Sequence, residues 1–82
     1  MMQVHLDRKN DILYLCIYDC SNSYGDESDE GVIVLRDMDT DQITGITIMD
    51  FLQHYRKRDL NKLSLPVNID FSRDVFPSLH LY

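Results

Sequence analysis

Eighty-two residues carrying 8 Lys+Arg against 14 Asp+Glu, a formal net charge of −6, make one small acidic domain built on a single core. At 44% hydrophobic and 27% charged, the composition excludes a disordered tail and a collagen-like fibre. No apolar run approaches the length that spans a bilayer, and the opening MMQVHLDRKN holds no signal-peptide stretch, so the expected compartment is the cytoplasm, with no membrane partner.

Apolar and polar residues alternate at Val4, His5 and Leu6, then give way to a polar turn over residues 7–11. Residues 12–18 are rich in β-branched and aromatic side chains, which predicts a β-hairpin. Its second strand is expected to be buried on both faces, with Ile12, Tyr14, Cys16 and Tyr18 on one and Leu13, Leu15 and Ile17 on the other. Were that strand to reach Cys20, the two cysteines would stand roughly 13 Å apart at ~3.3 Å per residue. A disulfide requires about 7 Å or less between Cα atoms. Bridging therefore needs a turn between them, and reduced structural thiols are the expectation. Residues 19–30, with Ser, Asn, Gly and acids around Tyr24, read as a loop.

A second hairpin is predicted from the apolar run that follows Gly31 and from residues 43–49, which flank an acidic turn. Gly45 within the returning strand implies a bulge or a close backbone approach. Asp50 then has the chemistry of a helix N-cap, with Gln53 three residues on as in a capping box. The spacing predicts a helix over residues 50–58 that buries Phe51, Leu52 and Tyr55 and turns Gln53, His54, Arg56 and Lys57 outward. Pro66 ends any continuation, and residues 67–71 alternate as a further strand would. The tail holds Val75, Phe76, Leu79 and Leu81, too apolar to be left in water.

The fold class is therefore α+β: an antiparallel sheet of two hairpins, one helix, and a C-terminal extension over residues 59–82 with an extra strand. One helix cannot cover both faces of such a sheet. The second face is expected to be covered by the tail or by the partner of a symmetric homodimer.

Two stretches, residues 10–17 (NDILYLCI) and residues 31–50 (GVIVLRDMDTDQITGITIMD), resemble a small prokaryotic family known as domain of unknown function twenty-two eighty-three. The likeness is carried by Asp11, Leu13, Tyr14, Gly31, Asp37, Asp39, Ile43, Gly45, Ile46, Ile48 and Asp50, and extends over residues 4–55. Asp41 and Gln42 replace the family's turn glycine, and Thr47 stands where Glu is common. The resemblance implies the hairpin–hairpin–helix order and points to no particular activity, since none is established for the family. It also implies, through members that neighbour toxin-like genes, an antitoxin-like binding role.

Candidate chemistry is sparse. Asp37, Asp39 and Asp41 start like a calcium loop, but Gln42 stands where that loop needs Gly and Ile48 where it needs Glu. Turn-forming carboxylates account for the same residues. His54 with Asp50 four residues earlier is the one pair with catalytic chemistry, and no nucleophile stands beside it; a solvated histidine is the plainer reading. No catalytic motif, phosphate-binding loop or cofactor signature is present in the sequence.

Charge is unevenly divided. Residues 1–50 hold eleven acids and three bases, and residues 51–82 three acids and five bases. The acidic body opposes nucleic-acid binding and favours a basic protein partner. The interaction candidates are the acidic Asp26, Glu27, Asp29 and Glu30 and the basic Arg56, Lys57 and Arg58. The expected function is that of a non-enzymatic, homodimeric interaction module.

Overall fold

A computed structural model describes residues 2–29 and 31–81, without the side chains of Ser28 and Asp29. Five strands, β1 (Gln3–Asp7), β2 (Ile12–Cys16), β3 (Ser23–Asp29), β4 (Val32–Asp37) and β5 (Ile43–Met49), precede one helix, α1 (Phe51–Lys57). The strands form a single antiparallel sheet in the order β1-β2-β5-β4-β3. Both predicted hairpins are present, and β5 joins them by pairing with β2. The α+β class follows.

Register decides which side chains meet. Val4, Leu15, Ile46 and Val34 stand opposite one another across four strands, as do Leu6, Leu13, Ile48 and Val32. Those two rows face the core, where Leu13, Leu15, Val32, Val34, Ile46 and Ile48 are fully buried. The row of Val34 continues onto β3 at Asp26, so the apolar surface stops one strand short of the edge.

The other face carries His5, Tyr14, Thr47, Ile33 and Glu27 in one row. Tyr14 is 41% exposed there, so β2 is buried on one face and not on two. The reason is that α1 and the C-terminal segment share the other side. Phe51, Leu60, Val75 and Leu79 join the same core cluster as the sheet, and Leu63, Leu65, Val67, Ile69, Phe71 and Phe76 pack against it. Burying the Phe51 ring contributes about 2–3 kcal/mol. The tail therefore doubles the cover on the helix side.

Two expectations about elements fail. The predicted loop at 19–30 contains β3, and the predicted strand at 67–71 is absent. Residues 63–71 do alternate half-buried with exposed, but the chain bends at Leu63, Pro66 and Val67 and enters a π-helical turn at Phe71–Val75. Alternation there reports one-sided burial across the core, with no neighbouring strand to pair. Short 3₁₀ turns at Leu60–Lys62 and Pro77–Leu79 complete the layer, and Arg8 Nη2 donates to the Leu79 carbonyl at 3.3 Å.

The helix cap also differs. Asp50 has φ 55°, in the left-handed region, and its carboxylate accepts no backbone amide. An effective N-cap residue is normally extended, which aims its side chain at the first-turn amides. The amides of Leu52 and Gln53 are instead bonded by the Asp11 carboxylate at 2.7 and 3.3 Å, and the Phe51 amide by the Asp11 carbonyl at 3.3 Å. The hairpin between β1 and β2 thus caps the helix.

Cys16 and Cys20 are joined by a disulfide, contrary to the reduced pair expected. β2 ends at Cys16, and the amides of Ile17 and Tyr18 both turn onto the Thr44 carbonyl. That bend brings the two Cα atoms to 6.1 Å. Gly45 lies beside it at a register shift between β4 and β5, as its position in the strand implied. A Cβ on Gly45 would sit inside contact distance of the Leu15 carbonyl oxygen.

Candidate functional site

The acidic stretch is a sheet edge. β3 pairs with β4 along one side only, which leaves the outward amides and carbonyls of that edge without a ladder. A sequence this polar does not form a strand by propensity; side-chain bonds to the β4–β5 turn hold it. The Tyr24 hydroxyl donates to Asp41 Oδ1, Asn22 Nδ2 donates to Asp39 Oδ2 at 2.9 Å, and the Ser23 and Thr44 hydroxyls meet at 2.8 Å. The hydrogen bond to Asp41 raises the Tyr24 phenol above its ordinary value, because ionising the hydroxyl would lose the bond it donates, and desolvation and the carboxylate's charge act in the same direction.

These bonds also settle what Asp37, Asp39 and Asp41 do. The Asp37 carboxylate accepts the amides of Asp39 and Thr40 at 2.8 and 2.9 Å, an Asx-type turn that lowers its pKa. Asp39 and Asp41 reach across to Asn22 and Tyr24. Three carboxylates that serve three separate partners do not converge. Among the described residues no group of three or more His, Cys, Asp or Glu side chains is arranged to hold a metal.

Of the acidic candidates, Asp26 and Glu27 are exposed on β3. Asp26 Oδ2 bonds Arg36 Nε at 3.3 Å, and Arg36 Nη1 also donates to the Asp41 carbonyl at 3.1 Å. Solvent reaches half of the Asp26 side chain, so this pair contributes little stability. Asp29 ends the strand, and its side chain and all of Glu30 lie outside the described residues.

The suggested His54–Asp50 pair does not form. His54 Nδ1 lies 2.7 Å from Asp59 Oδ1, a residue beyond the end of the helix. Arg58 ends α1 with φ 57°, which directs the Asp59 amide back to the His54 carbonyl at 3.1 Å. The pair therefore fastens the helix terminus to the chain that follows. Arg56, Lys57 and Arg58 are exposed around that terminus.

The outer sheet face is also open. His5 and Tyr14 stack there with ring centroids 5.9 Å apart, flanked by half-buried Ile33 and Leu35. Asp11 and β3 were the positions that sequence reasoning missed. Asp11 sits at φ 54°, a conformation that Asp adopts more readily than most residues, but nothing local points it at a helix 41 residues away.

No family model, curated protein or solved structure matches this chain. Among the described residues no helix is long and apolar enough to cross a membrane.

Proposed function

We propose that this protein is a non-catalytic interaction module that takes an extended basic segment of a partner protein onto β3. The observation that carries the reading is that the acidic Asp26 and Glu27 stand exposed on an unpaired sheet edge. An open edge supplies main-chain hydrogen bonds to an incoming strand, and the edge's side chains select its charge. Asp26 and Glu27 point to opposite faces of the sheet, so Lys and Arg at alternate positions of the incoming strand would meet one of these carboxylates, and the net charge of −6 would steer their approach.

Two copies joined through β3 would oppose like charges, so self-association belongs on the outer face around Tyr14. The antitoxin-like role implied by the resemblance is the case in which the basic segment belongs to a toxin.

Titration of the isotope-labelled chain with a nonapeptide alternating Lys and Val tests the reading. Amide shifts should concentrate in Ser23–Asp29, and a D26K/E27K variant should lose about tenfold or more in affinity. Unmoved β3 amides at saturating peptide would discard the edge as the site.

A further inference from the structure

A second open surface lies at the opposite pole of charge. A cleft of about 1150 Å³ separates the end of α1 from residues 63–76. It exceeds the ~300–1,000 Å³ typical of small-molecule pockets. Leu63, Leu65, Val67 and Ile69 contribute half-buried apolar surface to its lining.

Arg56 and Arg58 stand over that surface, exposed, and among the described residues neither guanidinium takes part in an ion pair. The two other charged residues of the lining are already engaged. Arg73 pairs with Asp74 at 2.9 Å, and Asp70 Oδ1 accepts the Arg73 amide at 3.1 Å. Arg56, Arg58 and Arg73 against Asp70 and Asp74 leave the charge around the cleft positive, in a chain that is acidic as a whole.

The backbone supplies an independent observation. Residues 64–69 make no backbone hydrogen bond to any described residue, so a run of amides and carbonyls along the cleft depends on water or on a partner. Apolar pockets, free main-chain groups and unpaired guanidinium groups together are what an extended acidic peptide needs. Arg in particular offers carboxylates a fork of donors.

We propose that this cleft is a docking groove for an extended acidic segment of a partner protein, with apolar side chains entering between Leu63 and Ile69 and carboxylates meeting Arg56 and Arg58. Nucleic acid fits less well, because an apolar floor offers nothing to a phosphate backbone. With β3 acidic and this cleft basic, the molecule would offer two binding surfaces of opposite charge. The groove does not depend on the reading given for β3.

The test is titration of the labelled full-length chain with a ten-residue peptide alternating Glu and Val. The amides of residues 64, 65 and 67–70 should shift, and an R56E/R58E variant should bind about tenfold more weakly or worse. Both arginines are exposed, and an R56Q/R58Q variant gives the same readout with less charge change. D26K/E27K should bind this peptide as the parent does, which separates the two surfaces.

Unmoved amides in this stretch would overturn the proposal, as would parent-like binding by both arginine variants or an equal response to a Lys-Val peptide. So would a concentration-dependent native mass that R56E/R58E abolishes, because the groove would then hold a second copy of this chain.

Discussion

The Asp11 carboxylate accepts the Leu52 amide at 2.7 Å, across 41 residues of sequence. The turn of the first hairpin thereby fixes the start of the only α-helix among the described residues, and with it the depth at which Phe51 enters the core. Helix N-termini leave four amides unbonded, and here Asp11 serves three of them, two through its carboxylate and one through its carbonyl. Asp50, which occupies the cap position, serves none.

The two aspartates can be separated by matched glycine variants, because both have positive φ and Gly relieves that conformation equally. D11G should lose about 1–2 kcal/mol, the cost of a missing cap, whereas D50G should be near neutral. Urea unfolding of the two variants decides the matter. Equal losses would mean that the Asp11 bonds carry no net stability.

Gly45 should tolerate no side chain. In G45A the new Cβ meets the Leu15 carbonyl, Cys20 Sγ at 3.1 Å and Leu35 Cδ1 at 3.2 Å, and a backbone oxygen in a central ladder cannot move aside. A loss near the upper end of the ~1–3 kcal/mol overpacking range is expected. G31A is the control: its nearest neighbour is 3.9 Å away, and only its φ of 80° opposes the change, at roughly 1–2 kcal/mol. Thermal melts should rank G45A below G31A.

Acid should open the polar turns first. The Asp37 carboxyl lies below its ordinary value because the Thr40 and Asp39 amides bond the ionised form, and Asp7 is lowered by the side chain and then the amide of Asn10. A depressed folded-state pKa contributes stability that is complete above the unfolded value near 3.8 and is lost as pH falls through the folded value. Unfolding free energy should therefore hold level from about pH 7 to 5 and decline below about pH 4. D37N keeps an oxygen acceptor but cannot protonate, so its acid slope should be shallower; an unchanged slope would remove Asp37 from the explanation.

The disulfide makes a countable claim. Denatured, unreduced protein should present no thiol to an alkylating reagent, and reduction should expose Cys16 and Cys20. Closing so short a loop contributes about 2 kcal/mol by chain entropy. Reduction should accordingly lower the melting temperature by about 8 °C or more. Two reactive thiols before reduction would contradict the bridge.

Much of the architecture was written locally. Strands β1, β2, β4 and β5 follow from two-residue alternation and β-branched runs, and α1 from the spacing of Phe51, Leu52 and Tyr55. Gly45 announced a close approach because a bare backbone inside an apolar strand has few other uses. These signals are legible because each depends on residues adjacent in the chain.

What the sequence left undetermined depends on partners distant in the chain. Residues 23–29 are too polar to form a strand alone and do so because Asp39, Asp41 and Thr44 hold Asn22, Tyr24 and Ser23. Residues 67–71 have a strand's alternation and no strand beside them. The cysteines bridge because Thr44 bends the chain between them, and His54 meets Asp59 because the helix ends in a left-handed turn. Local pattern selects conformations that bury or expose a side chain, whereas pairing, capping and bridging require two surfaces already in place. Only the assembled sheet and its covering layer supply those surfaces, and for that reason the acidic edge and the basic cleft emerge with the tertiary structure.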